Sequence, residues 1–97
     1  MFDKEYSEKR DFIRMFVDAE VTFNLQGEKT TFQGKSRELS GKGVSFITSQ
    51  SLNEGDVVNI TVSAVDARVA PLEIVARVVR TENLDNGKIL IATVKVD

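Results

Sequence analysis

Cysteine, histidine and tryptophan are absent from this 97-residue chain, and proline and tyrosine occur once each. Without His or Cys there is no imidazole base and no thiolate. That excludes Ser-His-Asp catalysis and metal sites built from those ligands. The missing cysteine also excludes a disulfide framework, and it suits reducing and oxidising compartments alike. No run approaches the ~18 consecutive apolar residues of a membrane-spanning helix. The opening MFDKEYSEKRD has no apolar centre that would make it a signal peptide. No pair of carboxylates stands in a recognisable acid/base spacing, so catalysis is not expected. Excess charge of one sign is missing too: 13 basic against 15 acidic side chains leave a net charge of −2. Binding to a nucleic acid polymer leans on many Lys/Arg–phosphate contacts, which this balance does not favour. These absences leave a soluble, cytoplasmic, non-enzymatic domain with no cofactor and no membrane insertion.

What is present is alternation. Val17, Ala19, Val21, Phe23 and Leu25 alternate with polar residues, the period-two pattern of a half-buried strand. After the turn Gln26–Gly27–Glu28, a second extended run covers Thr30 to Leu39. Ser40–Gly41–Lys42–Gly43 interrupts it, and Val44 to Thr48 makes a short third strand. Asn53–Glu54–Gly55 turns the chain into a fourth, Asp56 to Ser63, where Val58, Ile60 and Val62 share one face. Pro71 fits at a strand entrance, where its missing N–H is tolerated. Leu72 to Arg80 and Lys88 to Val96 complete the set. The Asp85–Asn86–Gly87 between them is a strong hairpin signal, because Asn and Gly accept the positive φ of tight turns. Six short antiparallel strands bury their faces best as a closed barrel, which leaves no open edge. The expected architecture is all-β: a six-stranded antiparallel small barrel of split or Greek-key type. Residues 1–13, of mixed charge and weak periodicity, are expected to form a flexible N-terminal arm, and residues 14–97 the barrel domain.

Two motifs flank the first strands. Arg10-Asp11-Phe12-Ile13-Arg14 has the form RxxxR, and Glu38-Leu39-Ser40-Gly41-Lys42-Gly43 links the second strand to the third. Their order and spacing resemble the PilZ domain, the bacterial receptor module for cyclic di-GMP, whose signature is RxxxR followed by [D/N]xSxxG. LSGKGVSF at 39–46, LNEGDVVNITV at 52–62 and LEIVARVVR at 72–80 resemble the family as well, so the similarity spans about residues 9 to 96. The resemblance implies that Arg10, Arg14, Glu38, Ser40 and Gly43 bind the nucleotide, with Lys9 and Gly41 as secondary candidates. Cyclic di-GMP is a ligand here rather than a cofactor.

The chemistry of those residue types suits such a ligand. A guanidinium pairs with phosphate oxygens bidentately, bonds to guanine O6/N7, or stacks on a base. The Ser40 hydroxyl both donates and accepts, and Gly43, lacking Cβ, leaves room beside the backbone. The family's acidic or amide position, which accepts from guanine N1–H and N2–H, is Glu38 here. It has the same acceptor group on a side chain one methylene longer, with more rotamer entropy to lose on binding. Lys9 stands where some relatives carry a further arginine, and lysine meets a phosphate as a point charge.

Other charged and aromatic residues read more plainly. Arg37, Arg77 and Arg80 lie on or near strands, the last two expected at exposed positions paired with Glu73 or Glu82. Phe16, Phe23, Phe32 and Phe46 have mixed strand phases, and most of them read as core rather than as a base-stacking platform.

The functional expectation is a receptor in which the arm closes over cyclic di-GMP bound at the ExSxxG turn. Closure would change the interaction with a protein effector governing motility, biofilm or exopolysaccharide output, and a homodimer is compatible with this. The alternative is a PilZ-like protein-interaction adaptor that does not bind cyclic di-GMP. A closing arm requires an open one, so backbone order parameters over residues 1–13 of the free chain should be low, below about 0.6. Uniformly high values there would remove the basis for closure.

Overall fold

Alternation becomes barrel in the computed structural model, which describes residues 18–64 and 68–96. The strands are β1 (Glu20–Leu25), β2 (Phe32–Leu39), β3 (Val44–Thr48), β4 (Val57–Val62), β5 (Leu72–Asn83) and β6 (Ile89–Lys95). A single 3₁₀ turn, Asp85–Gly87, joins the last two. All pairings are antiparallel, and the order around the closed barrel is β1-β2-β3-β6-β5-β4. β4, β5 and β6 follow one another by hairpins while β3 lies beside β6, which is Greek-key connectivity. The barrel leaves no unpaired strand edge among these six.

One face of each strand supplies the interior. Val21 and Phe23 of β1, Val44 and Phe46 of β3, and Val58, Ile60 and Val62 of β4 are all buried, with Ala76, Val78 and Ile91 from β5 and β6. The Phe23 ring lies 4.8 Å from that of Phe46 and 5.7 Å from that of Phe32, both pairs tilted. Burying each such side chain contributes about 1.5–3 kcal/mol. Phe23 and Phe46 are therefore core, as expected, and Phe32 packs half-buried against them. Phe16 lies outside the described residues.

Two strand boundaries depart from the sequence pattern. The alternation suggests a first strand from Val17, but Asp18 has φ of 57°, left-handed backbone that turns the chain just before β1. Asp is among the few residues that tolerate this conformation. The Asp18 N–H donates to the Ser36 carbonyl at 3.0 Å and the Ser36 hydroxyl accepts from the Ala19 N–H at 2.9 Å, so the chain enters β1 clipped to β2. At the other end of the sequence, β5 runs to Asn83 rather than Arg80. Its register slips by one residue between Val78 and Arg80, a bulge that puts both Val79 and Arg80 on the outside and lets pairing with β6 continue. The hairpin behind it is as its residues require: Asn86 and Gly87 have φ of 68° and 74°.

A second bulge lies between Ser36 and Glu38 in β2. Phe32, Gly34 and Ser36 face the interior, but the extra residue, Arg37, resets the phase. Arg37 and Glu38 both face solvent, and Leu39 turns inward against the core.

The loop after β2 is fastened to β6 rather than hanging free. The Lys95 N–H donates to the Lys42 carbonyl at 2.6 Å. The buried Thr93 hydroxyl donates to the Val44 carbonyl at 2.7 Å and accepts from the Val44 N–H at 3.4 Å. Gly43 is buried between them. A Cβ there would collide with the Thr93 carbonyl oxygen and lie 2.9 Å from both Thr93 C and Val94 Cα. These obstacles are backbone and cannot swing aside. Gly43→Ala should therefore destabilise by about 3 kcal/mol, at the upper end of overpacking costs, lowering the melting temperature by roughly 10–20 °C. A melt within a few degrees of wild type would mean the two backbones separate cheaply. Thr93→Val keeps the shape but strands the Val44 carbonyl, and should cost about 1–3 kcal/mol in chemical denaturation; Thr93→Ser should recover most of the loss.

Candidate functional site

The β2 bulge, the fastened loop and the start of β3 form the rim and floor of one groove of about 220 Å³ on the outside of the barrel. Glu38, Ser40 and Gly43 line it together with Ser45, Ala92 and Thr93. Three of the five principal residues singled out in the sequence are thus brought to one place. Arg10 and Arg14 lie outside the described residues, as does Lys9.

Each contributes differently. The bulge presents the Glu38 carboxylate at the groove mouth, where it is exposed. Unbroken alternation would have turned Glu38 into the apolar interior. Ser40 is partly committed to its own turn: its hydroxyl accepts from the Lys42 N–H at 3.2 Å and donates to the Gly43 carbonyl at 3.4 Å. A hydroxyl has one proton and two lone pairs, so one acceptor position remains for another partner. At Gly43 the space beside the backbone is occupied by β6, so the missing Cβ serves the approach of two strands. Gly41 is exposed, and a Cβ there would meet nothing within 4 Å. Packing therefore does not demand glycine at that position.

Ser45 was not anticipated from the sequence. It follows Val44 on the outward phase of β3, and its Oγ is buried with no hydrogen-bond partner. A buried hydroxyl without a partner costs about 1–3 kcal/mol relative to a satisfied one. Here it lies at the lining of the groove, where an incoming polar group can satisfy it. The available signal was its place two residues after Gly43 in a strand whose other outward residue, Ile47, is apolar. Alternation alone does not separate such a serine from a solvated one.

The groove thus offers a carboxylate at its mouth, a shared hydroxyl on its rim and an unsatisfied hydroxyl in its lining. Its volume lies below the ~300 Å³ of the smallest ordinary ligand pockets, so it holds part of a nucleotide-sized molecule and not the whole. Among the described residues, no group of His, Cys, Asp or Glu is placed to hold a metal ion. No helix among them is long and apolar enough to cross a membrane.

No curated protein and no solved structure matches the chain. The model of one family does, the PilZ domain, over residues 8–96. That match takes in the RxxxR segment, the groove-forming loop and every strand of the barrel, and it covers nearly the whole chain: the protein belongs to the PilZ domain family.

Proposed function

We propose that this protein is a non-enzymatic cyclic di-GMP receptor that passes ligand binding on to a protein partner. The observation that carries the reading is the outward turn of Glu38 beside Ser40 and the unsatisfied Ser45 hydroxyl, in a chain whose family is that of cyclic di-GMP adaptors. Glu38 accepts from the N1–H and N2–H edge of one guanine, and Ser40 and Ser45 hydrogen-bond the polar atoms that follow it into the groove. The anchorage of Asp18 beside Ser36 supports a role for the arginines. Ser36 is two residues from Glu38, and the four residues back to Arg14 span at most about 14 Å. Arg14 is therefore within reach of the groove, and Arg10 has slack to approach from the other side of the ligand. A guanidinium on each side of a base or phosphate replaces the wall that the shallow groove lacks.

Closure of the arm is driven by differential affinity: the ligand favours the closed form only by what the arginines add to the open one. The change presented to a partner is then the new position of residues 1–13, and the output is motility, biofilm or exopolysaccharide regulation in the cytoplasm.

Calorimetric titration of cyclic di-GMP tests this directly. Wild type should bind, and Arg10→Ala and Arg14→Ala should each lose about 1.5–3 kcal/mol, a charged hydrogen-bonding contact. Glu38→Asp should bind more tightly than wild type, because the shorter side chain loses less rotamer entropy. Absence of heat and of any ligand-induced shift in melting would leave a protein-interaction adaptor that works without the nucleotide. The glutamate in place of Asp or Asn is the observation favouring that second reading.

A further inference from the structure

The groove is too small for a cyclic dinucleotide, and the register of the barrel shows where the remainder can lie. Glu38 pairs with Ser45, Ser45 with Ala92, and Ala92 with Arg80. These four outward residues form one row across β2, β3, β6 and β5. Three inter-strand steps make it about 14 Å long.

The two bulges bracket this row. In β2 the extra residue, Arg37, stands on one side of it; in β5 the extra residue, Val79, stands on the other. Each bulge turns two consecutive side chains outward, Arg37 with Glu38 and Val79 with Arg80. The row therefore ends in charged groups and has only small side chains, Ser45 and Ala92, between them. The result is a trough that continues the groove over β6. Beside its far end are Val79, 47% exposed, and Val94, 44% exposed, the two exposed large apolar side chains among the described residues. Arg80 itself is exposed, and no ion pair joins it to Glu82 among the described residues.

A low apolar floor beside an exposed guanidinium is suited to a planar base laid flat with a phosphate at its edge. We propose that the binding site continues across β6 onto β5, with Ala92 as the floor for a second base and Arg80 as a third arginine of the site. This rests on the cyclic di-GMP reading and assigns the half of the ligand that the groove leaves uncovered. Ala92 matters because it is small. A longer side chain there fills the trough without touching the charges at either end.

Titration of cyclic di-GMP into full-length wild type, Arg80→Ala, Arg80→Lys, Ala92→Leu and Lys29→Ala tests the proposal, with melts of each unliganded variant to establish that it is folded. The altered residues face outward or lie in the exposed β1–β2 turn, so folding should survive. Arg80→Ala and Ala92→Leu should each weaken binding by about ten- to hundredfold, the equivalent of one charged contact. Arg80→Lys should recover only part of the loss, and Lys29→Ala, a charge outside the row, should leave binding unchanged. Wild-type affinity in both Arg80→Ala and Ala92→Leu overturns the extension while the receptor reading stands. Equal losses in Arg80→Ala and Lys29→Ala, or a loss in Arg80→Ala with none in Ala92→Leu, also overturn it, since long-range charge alone would then suffice. A wild type that does not bind overturns both.

Discussion

The approach of the Gly43 backbone to that of Thr93 is the contact on which the rest of the structure depends. β3 and β6 are far apart in sequence, and their pairing completes the barrel on one side. It holds only if the loop before β3 can lie against β6 without a side chain in between. Glycine permits the approach, the Thr93 hydroxyl ties off the first residue of β3, and the Lys95 N–H ties the loop carbonyl of Lys42. Each of these polar groups would otherwise be partly removed from water without a partner, at a cost comparable to a lost hydrogen bond. Barrel closure and the position of the candidate site are thus consequences of one contact. The loop that forms the groove rim is held by the same atoms that set the β3–β6 register.

The second constraint is the pair of bulges. A strand in regular alternation presents every other residue to the outside, and an inserted residue reverses the phase beyond it. In β2 the insertion allows Ser36 and Leu39 both to face the interior with two charged residues between them. In β5 it lets Val78 and Thr81 both face inward, with Val79 and Arg80 outside. Without the insertions, unbroken alternation would turn Glu38 and Arg80 toward the interior. The outward placement of Glu38 and Arg80 is therefore a product of packing, and their common row follows from the register of the strands between them.

Much of this was readable from the chain. Alternation placed all six strands, with Val58, Ile60 and Val62 on one buried face, and Asn86–Gly87 marked its hairpin because few other pairs take positive φ twice. The motif order of RDFIR and ELSGKG pointed to the PilZ family, which the family match confirmed. The readings that slipped share a cause. The first strand was expected to start before Asp18 and the fifth to stop at Arg80, and in both places the backbone leaves regular geometry at a single residue. Phase breaks are visible in SREL and VVRT, but a break reads equally well as the end of a strand. Only the partner strand, continuing to pair beyond it, distinguishes a bulge from a terminus.

Composition and periodicity by themselves determined the fold class, the strand count and the inward faces of the regular strands, because each follows from local preference and a two-residue repeat; the ExSxxG residues were singled out by resemblance to the family. Tertiary structure alone decided which strands are neighbours, that Gly43 is demanded by β6, that Ser45 is left without a partner, and that Glu38 and Arg80 stand in one row. Those facts depend on pairings between residues dozens of positions apart, and local sequence carries no record of a register that is chosen only when the whole barrel closes.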